Sequence, residues 1–390
     1  MILFVLEKFP SKSEHFIANE IAGLYDLGVD LAIIAMRKET SNKSLTQLPV
    51  TYVNFWVLLL YMVKLSFSRN RIIEKGNSKG LKPFLSQLKV EAISKIAQKK
   101  FQDQNIAHIH AHFAFLPTEV AQYLSKSMGI PFSFTAHAQD LYTNDSQKLQ
   151  LYLTRAKFVF TCTQFGRAFL KKIAPHSEHI HCIYHGISLE KWPFQKIKKQ
   201  NQEVIKLLYV GRLVEKKGIS LLLESIKKLT QSGKSIQCTV VGSGPLEQEL
   251  KAQSRKLAIS EHLHFAGYTP HHELLNYYQS HDLLVCPSVK AHNKDMDGIP
   301  NVILEAMAVG LPVIASDISG IPEIIAHRET GMLFSSGDVN GIVQHVATLS
   351  SDQMLYMKLR NAARLQLEEK FDLRQSNHQI KTILHSTMAS

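Results

Sequence analysis

The fold is decided by the stretch that opens the C-terminal half of the chain: LLYVGRL (207–213), SLLLESIKKL (220–229), CTVVGSG (238–244) and LEQELKAQSRKL (246–257). Short apolar runs predict strands, and the longer amphipathic runs between them predict helices. The same alternation continues through HLHFAGY, DLLVCPS, PVIAS and GMLFSSGD, which gives five or six strands. Strands that alternate with helices in this way predict a parallel, doubly wound α/β sheet.

The N-terminal half repeats this organisation more loosely. Its predicted strands are ILFVL (2–6), VDLAIIAM (29–36), HIHAHF (108–113), FSFTAH (132–137), FVFTCT (158–163) and HIHCIY (179–184). The polar segment WPFQKIKKQNQE (192–203) has the composition of an exposed connection. We therefore predict two Rossmann-like domains, residues 1–192 and 204–368, which face a central cleft lined by the loops at the carboxyl ends of the strands.

The composition is typical of a cytosolic protein. The 390 residues include four cysteines without a C-x-x-C pair, as expected for reduced thiols in the cytoplasm. The apolar N-terminus lacks a basic n-region and predicts a strand rather than a signal peptide. The longest uncharged apolar run, residues 55–63, is too short to span a bilayer. We therefore expect a cytoplasmic protein without a transmembrane segment.

The charge is unevenly distributed. Residues 1–200 contain 26 Lys and Arg against 14 Asp and Glu, whereas residues 201–390 contain 19 of each class. Such an excess suggests contact with an anionic partner, such as lipid headgroups, a phosphorylated acceptor or nucleic acid. No nucleic-acid-binding motif accompanies it, so we predict no nucleic-acid partner. The apolar run 55–67, flanked by Arg69 and Arg71, fits either a membrane interface or a buried helix.

The segment DGIPNVILEAMAVGLPV (297–313) predicts a helix over residues 300–309, because Pro300 suits the first helical position and Gly310 the residue after its end. The free N–H groups at the helix start, reached through the turn at Gly298, suit a phosphate group. Glu305 lies within this apolar helix and needs hydrogen-bond donors. Ribose hydroxyls, an arginine or a neighbouring loop would each satisfy it.

The loop GRLVEKKG (211–218) places cations at the end of a strand. Arg212 can bind two phosphate oxygens and Lys217 adds a second positive charge, so the pair can neutralise a departing diphosphate without a metal ion. Solvation at the surface is the alternative. The loop VGSGP (241–245) is a weaker signal that we interpret as scaffold.

Histidines mark the ends of two N-terminal strands. His108, His110 and His112 alternate and would share one face of their strand. A His-x-His pattern also occurs in metal-dependent hydrolases, but further ligands at recognisable spacing are lacking, so His108 and His110 are assigned structural roles. His137 follows the next strand, and Asp140 after it suits a helix cap. Ser13 is the predicted N-cap of the first helix.

Taken together, these segments resemble glycosyltransferase family 4, in particular its exopolysaccharide and colanic-acid-type transferases. The resemblance rests on FPSKSEHFIANEI, HIHAHF, PFSFTAHAQDLY, IYHGIS, YVGRLVEKKG, VVGSGPLEQEL, FAGYTP and DGIPNVILEAMAVGLPVIAS, in family order. It implies the two-domain GT-B fold, with a C-terminal helix over residues 369–390 that crosses back to the N-terminal domain. The family usually has Glu where this chain has Asp297, and the shorter side chain reaches less far.

The resemblance also implies roles for individual residues. Arg212 and Lys217 would hold the donor diphosphate, and Glu305 would bind the ribose. The transferred sugar would meet Asp297 together with the turn Gly298, Ile299, Pro300, Asn301 and Val302. His112 and His137 would face the sugar or the acceptor, which makes them, with Asp297, the candidate catalytic residues.

The implied activity is that of a retaining, metal-independent hexosyltransferase without a cofactor. It would move a sugar from a nucleotide-diphosphate sugar to a glycan or lipid-linked acceptor in polysaccharide biosynthesis. The enzyme would be cytoplasmic and could attach peripherally to the inner face of the membrane. The alternatives are another GT-B enzyme, such as a nucleotide-sugar epimerase or a phosphorylase, a peripheral membrane scaffold without strong catalysis, and a metal-dependent hydrolase that uses the His-x-His pattern.

Overall fold

The computed structural model describes residues 1–11, 14–39, 45–73, 81–175, 177–195 and 203–388. These divide into two compact units. The first unit comprises Met1–Cys162, Arg167–His185 and the chain from Leu373 onward. The second unit comprises Thr163–Gly166 and Gly186–Asp372. Ser13 and most of the predicted connection, residues 196–202, lie outside the described residues.

The first unit contains a seven-stranded parallel sheet in the order β3-β2-β1-β4-β5-β6-β7. Its strands are β1 (Ile2–Lys8), β2 (Leu31–Arg37), β3 (Val50–Tyr52), β4 (His108–His112), β5 (Phe132–Ala136), β6 (Val159–Thr161) and β7 (Ile180–Cys182). The helices are α1 (His15–Asp26), α2 (Phe55–Ile73), α3 (Leu81–Lys100), α4 (Leu116–Met128), α5 (Ala138–Thr143), α6 (Ser146–Arg155) and α7 (Gln164–Ile173). The six predicted strands are all present; the short β3 was not predicted.

The second unit contains a six-stranded parallel sheet in the order β10-β9-β8-β11-β12-β13. Its strands are β8 (Ile205–Val210), β9 (Ile236–Val241), β10 (Leu263–Gly267), β11 (Leu283–Cys286), β12 (Val313–Ser316) and β13 (Met332–Phe334). The helices are α8 (Ile219–Gln231), α9 (Glu247–Lys256), α10 (Leu274–Ser280), α11 (Asn301–Val309), α12 (Ile321–Ile324), α13 (Val339–Ser351) and α14 (Gln353–Lys370). This confirms the predicted pair of doubly wound α/β domains.

The last helix, α15 (Leu373–Met388), packs on α1 in the first unit. Its Ile380 and Leu384 join the buried cluster that contains Ile17 and Leu24 of α1. The helices approach so closely at Gly23 that a Cβ there would lie 1.9 Å from Nδ2 of Asn377. The end of the chain therefore completes the core of the domain in which the chain begins.

Both sheets reverse their strand order at a defined point. The reversal lies between β1 and β4 in the first unit and between β8 and β11 in the second. Helices leave opposite faces of the sheet on the two sides of such a point, so the loops beyond the strand ends separate there and leave room for a ligand. A ligand site is therefore expected at the loops after β1, β4, β8 and β11. No described helix has the length and apolarity needed to cross a membrane.

Candidate active site

The loops after β8 and β9 are held together by glycines. A Cβ on Gly242, whose φ is 134°, would lie 1.9 Å from the backbone oxygen of Gly211. A Cβ on Gly244 would lie 2.4 Å from the oxygen of Leu213. The glycines of the VGSGP loop thus let it pack closely against the loop that carries Arg212, which agrees with the predicted scaffold role; whether one edge of the loop faces a ligand stays a prediction. Gly218 adopts a left-handed φ of 60°, and a Cβ there would meet the oxygen of Pro287 at 1.8 Å.

Two predicted site residues form an ion pair at the reversal point of the second sheet. Lys217 Nζ lies 2.7 Å from Asp297 Oδ2, and Lys216 Nζ lies 3.5 Å from Asp297 Oδ1. Ser288 donates a hydrogen bond of 3.2 Å to Asp297. Lys216 also binds Asp295 at 3.0 Å. The sequence indicated the cations and the acid separately, but it did not show that they pair.

This pairing changes the acid–base properties of both groups. Burial opposes the charge on Asp297, but Lys217 and Lys216 outweigh it and hold the pKa of the carboxyl below its ordinary value. Burial likewise disfavours the charge on Lys217, yet Asp297 raises the pKa of the ammonium above its ordinary value, against a smaller opposing effect from the nearby charge of Arg212. The two side chains are therefore both charged at neutral pH. Arg212 itself is exposed.

The predicted helix begins beside this pair. α11 runs from Asn301 to Val309 with Pro300 as its N-cap, and Gly310 ends it with a left-handed φ of 81°. The predicted bounds are confirmed to within one residue at the start. Of the turn that leads into it, Gly298 and Ile299 are half-buried, as are Asn301 and Val302, whereas Pro300 is buried. The free N–H groups at the start of α11 thus lie close in sequence to Asp297, where a phosphate would be favourable.

Glu305 is buried inside α11 and has two protein partners. His271 Nε2 lies 2.8 Å from Oε1, and the hydroxyl of Tyr278 donates a hydrogen bond of 2.6 Å to Oε2. The ring of Trp192 packs edge-on against both, with centroids 5.4 Å from His271 and 5.5 Å from Tyr278. Sequence reasoning predicted donors for this carboxylate but missed these two residues. The partners of Glu305 in the structure are thus a histidine and a tyrosine rather than the arginine considered from the sequence. Each carboxylate oxygen has two lone pairs, so Glu305 can still accept a hydrogen bond from a ribose hydroxyl.

In the first unit, His108 and His110 bind hydroxyl groups of the neighbouring strand β5. His108 Nε2 lies 2.6 Å from Ser133 Oγ, and His110 lies 2.7 Å from the same oxygen and 2.9 Å from Thr135 Oγ1. Burial lowers the pKa of His108 to about 4 and that of His110 well below its ordinary value. Neutral imidazoles hydrogen-bonded in the core agree with the structural role assigned to them.

His112 and His137 belong to a different arrangement, a chain of four polar side chains. Glu20 Oε1 lies 3.3 Å from His112 Nε2, His112 Nδ1 lies 3.3 Å from His137 Nε2, and His137 Nδ1 lies 3.3 Å from His185 Nε2. We call this the histidine chain. His112 is fully buried and His137 is 4% exposed. Contact of His112 with a sugar would need local rearrangement, so both catalytic assignments stay predictions; Glu20 and His185 were not foreseen.

Asp140 links the loops that follow β4 and β5. Its carboxylate accepts hydrogen bonds from the backbone N–H of His137, at 2.8 Å, and from that of Ala114. Burial raises its pKa to about 7, although these backbone donors act in the opposite direction. The predicted capping role is present, because Asp140 in the first turn of α5 binds the backbone of its N-cap.

A polar cavity of about 200 Å³ lies at the carboxyl ends of β1 and β4. Its lining includes Lys8, Glu14, Arg37, Phe113 and Gln139. Burial raises the pKa of Glu14, with Lys8 opposing that shift. Cations and hydrogen-bonding groups around a small cavity are suited to hydroxyls or to an anionic group.

The class of the protein follows from its similarity to known families. Residues 14–191 match the model of Glycosyltransferase Family 4, and residues 190–366 match the model of Glycosyl transferases group 1. The chain belongs to the family 4 type of glycosyltransferases, and it is an enzyme of the hexosyltransferase type, as predicted.

Its relatives include the amylovoran biosynthesis glycosyltransferase AmsK of Erwinia amylovora, which is 26% identical over 98% of both chains. The putative colanic acid biosynthesis glycosyltransferase WcaL of Escherichia coli is 24% identical over 98% of this chain and 99% of that one. Among solved structures, HepE of Anabaena in complex with UDP-glucose aligns with a TM-score of 0.76 at 18% identity, over 99% of both chains. That likeness confirms the GT-B fold.

Proposed function

We propose that this enzyme transfers a hexose from a nucleotide-diphosphate sugar to a glycan or lipid-linked acceptor in polysaccharide biosynthesis, with retention of anomeric configuration. The observation that carries the proposal is the group of Lys217, Asp297 and the start of α11 at the reversal point of the second sheet. The relatives named for amylovoran and colanic acid support the polysaccharide context. The UDP-glucose bound to HepE makes UDP-glucose the first donor to test.

In this proposal the second unit binds the donor. The diphosphate lies at the start of α11, where free N–H groups point at it, and Arg212 and Lys217 neutralise the charge that develops as it leaves. Asp297 and the Gly298–Val302 turn contact the transferred sugar, and Glu305 accepts a ribose hydroxyl. Arg212 and Lys217, with the start of α11, are the groups proposed to supply the positive charge at this point, so we expect no requirement for a metal ion or a cofactor.

The first unit would bind the acceptor, and the polar cavity beside Lys8 and Arg37 is the place proposed for its hydroxyl or phosphate groups. Attack would occur on the face from which the diphosphate departs, which accounts for retention. His137 is proposed to contact the sugar or acceptor, and His112 to hold its ring in position through the hydrogen-bond distance of 3.3 Å.

The test is a donor screen in EDTA, with UDP-, GDP- and ADP-sugars and release of nucleotide as the readout. Arg212→Ala and Glu305→Ala should weaken donor binding, whereas Lys251→Ala, which removes a cation paired with Glu247 on α9, should not. Loss of an interaction with a charged group is worth about 1.5–3 kcal/mol, or roughly 10–100-fold. Nuclear magnetic resonance of the product reports the anomeric configuration. Equal binding by all variants, or activity that requires added metal, would contradict the proposal.

The acceptor proposal includes an anionic membrane surface, because a lipid-linked acceptor resides there. α2 packs on α3 through residues such as Leu65, while its other side exposes large apolar side chains. Trp56 and Phe67 are each 72% exposed, and their neighbours include Phe55, Leu59, Leu60 and Val63. An apolar helix face of this kind in the basic half of the chain fits insertion at an interface. The side chains of the flanking Arg69 and Arg71 lie outside the described residues.

Vesicle sedimentation tests this part. Each large side chain withdrawn from water contributes about 1.5–3 kcal/mol, so Trp56→Ser with Phe67→Ser should reduce binding to anionic vesicles at least tenfold. Leu365→Ser, which alters an exposed leucine on α14 of the second unit, is the matched control. Equal binding by all three proteins would rule out α2 as the attachment.

A further inference from the structure

The histidine chain ends beside a cysteine. One ring nitrogen of His137, one ring nitrogen of His185 and the sulfur of Cys162 all lie within 4.8 Å of one another. His137 immediately follows β5, Cys162 immediately follows β6, and His185 lies shortly after β7. These three strands are adjacent in the sheet. We propose that His137, Cys162 and His185 form a binding site for a transition-metal ion of the Zn²⁺ class, and that the bound ion inhibits the enzyme by occupying His137.

The spacing of the ligand atoms fits such an ion. In a tetrahedral zinc site the bonds measure about 2.0–2.1 Å to nitrogen and about 2.3 Å to sulfur, which sets two nitrogens about 3.3 Å apart and a nitrogen and a sulfur about 3.6 Å apart. His137 Nδ1 and His185 Nε2 are 3.3 Å apart. The sulfur of Cys162 would have to move closer by at most about 1.2 Å, which rotation about one side-chain bond can supply.

The rest of the histidine chain acts as an outer shell that orients His137. Glu20 Oε1 lies 3.3 Å from His112 Nε2 without hydrogen-bond geometry, so the carboxylate acts on the ring through its negative charge, which favours a proton on that nitrogen. His112 Nδ1 then accepts a hydrogen bond from Nε2–H of His137, and the lone pair of His137 Nδ1 points toward Cys162 and His185. Carboxylates and acceptors behind ligating histidines fix the tautomer in known metal sites in the same way.

The charges of the site also suit a cation. Binding requires the neutral tautomer of His185 whose hydrogen lies on Nδ1, so that Nε2, 3.3 Å from His137 Nδ1, offers a lone pair to the ion. On binding, the thiol of Cys162 releases its proton to solvent and becomes a thiolate ligand. His185 is half-buried, which provides a route for entry, whereas His137 and Cys162 are buried. Three protein ligands leave a fourth position for water.

The consequence for the enzyme is inhibition rather than activation, and this part rests on the proposed function of His137. The cations around Asp297 belong to the second unit, and the donor chemistry proposed there does not require a metal ion at His137. Metal on His137 would remove the nitrogen lone pair that a sugar or acceptor hydroxyl needs. EDTA should therefore leave turnover unchanged or raise it, and Zn²⁺ should lower it.

Cobalt provides the direct probe, because a thiolate ligand gives Co²⁺ a charge-transfer band in the near ultraviolet. The full-length protein is reduced, stripped with EDTA, desalted and titrated with CoCl₂. We expect saturation at one equivalent with that band present. Cys162→Ser should abolish the band and weaken Zn²⁺ binding at least tenfold in competition with a chromogenic chelator. Cys182→Ser, which alters the half-buried cysteine of β7, should change neither.

Thermal unfolding separates loss of the site from loss of the fold, since a ligand that binds the native state raises the melting temperature. Zn²⁺ should raise it for the wild type and for Cys182→Ser, and not for Cys162→Ser or His185→Gln. A wild type without the band, or a band that survives in Cys162→Ser, would overturn the site. If Zn²⁺ binds as expected yet leaves donor turnover unchanged, the inhibition is refuted while the metal site stands.

Discussion

Replacement of Tyr278 by phenylalanine tests the interpretation of Glu305. The substitution removes a single hydroxyl that donates a 2.6 Å hydrogen bond to a buried carboxylate. A hydrogen bond to a charged group contributes about 1.5–3 kcal/mol, and its loss here leaves Glu305 Oε2 without that donor. One kcal/mol corresponds to roughly 2–4 °C for a domain of this size. A loss of about 2 kcal/mol therefore lowers the melting temperature of the second unit by roughly 4–8 °C.

The assay is differential scanning calorimetry, because it resolves a transition of one unit even where the two units unfold separately. Tyr356→Phe is the matched control: its hydroxyl donates a 3.1 Å hydrogen bond to the uncharged backbone oxygen of Asp282, worth about 0.5–1.5 kcal/mol. The melting temperature of the second unit should decrease more for Tyr278→Phe than for Tyr356→Phe. Equal decreases would show that Glu305 does not depend on Tyr278, and that water or His271 satisfies the carboxylate instead.

Two further predictions concern substitutions in the second unit. Asp297→Asn should lower stability at pH 7, because it leaves the charge of Lys217, whose side chain is only 19% exposed, without its carboxylate partner, at a cost of up to about 3–5 kcal/mol. The pKa of Asp297 is depressed in the folded state, so the stabilisation from its charge is lost only as the carboxylate becomes protonated. In thermal melts, the higher melting temperature of the wild type relative to Asp297→Asn should therefore persist down to about pH 5 and shrink below about pH 4. A difference in melting temperature that is independent of pH would refute the pairing. Gly218→Ala should destabilise the protein more than Gly233→Ala, as measured by melting temperature. Gly218 and Gly233 both have left-handed φ values, of 60° and 78°, but of the two only Gly218 has a backbone oxygen, that of Pro287, where a Cβ would lie. Equal decreases in melting temperature would mean that backbone strain, and not this clash, determines the loss of stability.

Much of the fold was predictable because strands and helices leave local patterns. The apolar runs that became β1, β4 and β8, and the Pro300 and Gly310 punctuation of α11, depend on neighbouring residues only. The short β3 was missed, since three half-buried or exposed residues produce no recognisable pattern. Local signals therefore sufficed for the sheets, and failed where a strand was too short.

The partners of the candidate site residues were less predictable. The need of Glu305 for donors followed from its burial, but His271 and Tyr278 lie 34 and 27 residues away in the chain. Likewise, Lys217 and Asp297 were each assigned a ligand, and only the fold shows that they bind each other. Glu20 and His185 carried no signal of their own, because nothing in HFIANEI or IYHGIS indicates that these side chains meet through two histidines.

The packing of α15 on α1 has a consequence for biosynthesis. Ile380 and Leu384 cover apolar residues of α1, so the first unit lacks part of its core until the ribosome has made the end of the chain. Residues 186–372 must be translated in the meantime. At about 5–20 residues per second, this delay lasts about 10–40 s. During that time the nascent first unit presents an uncovered apolar surface on α1, and transiently exposed apolar surface of this kind is prone to aggregation until α15 covers it.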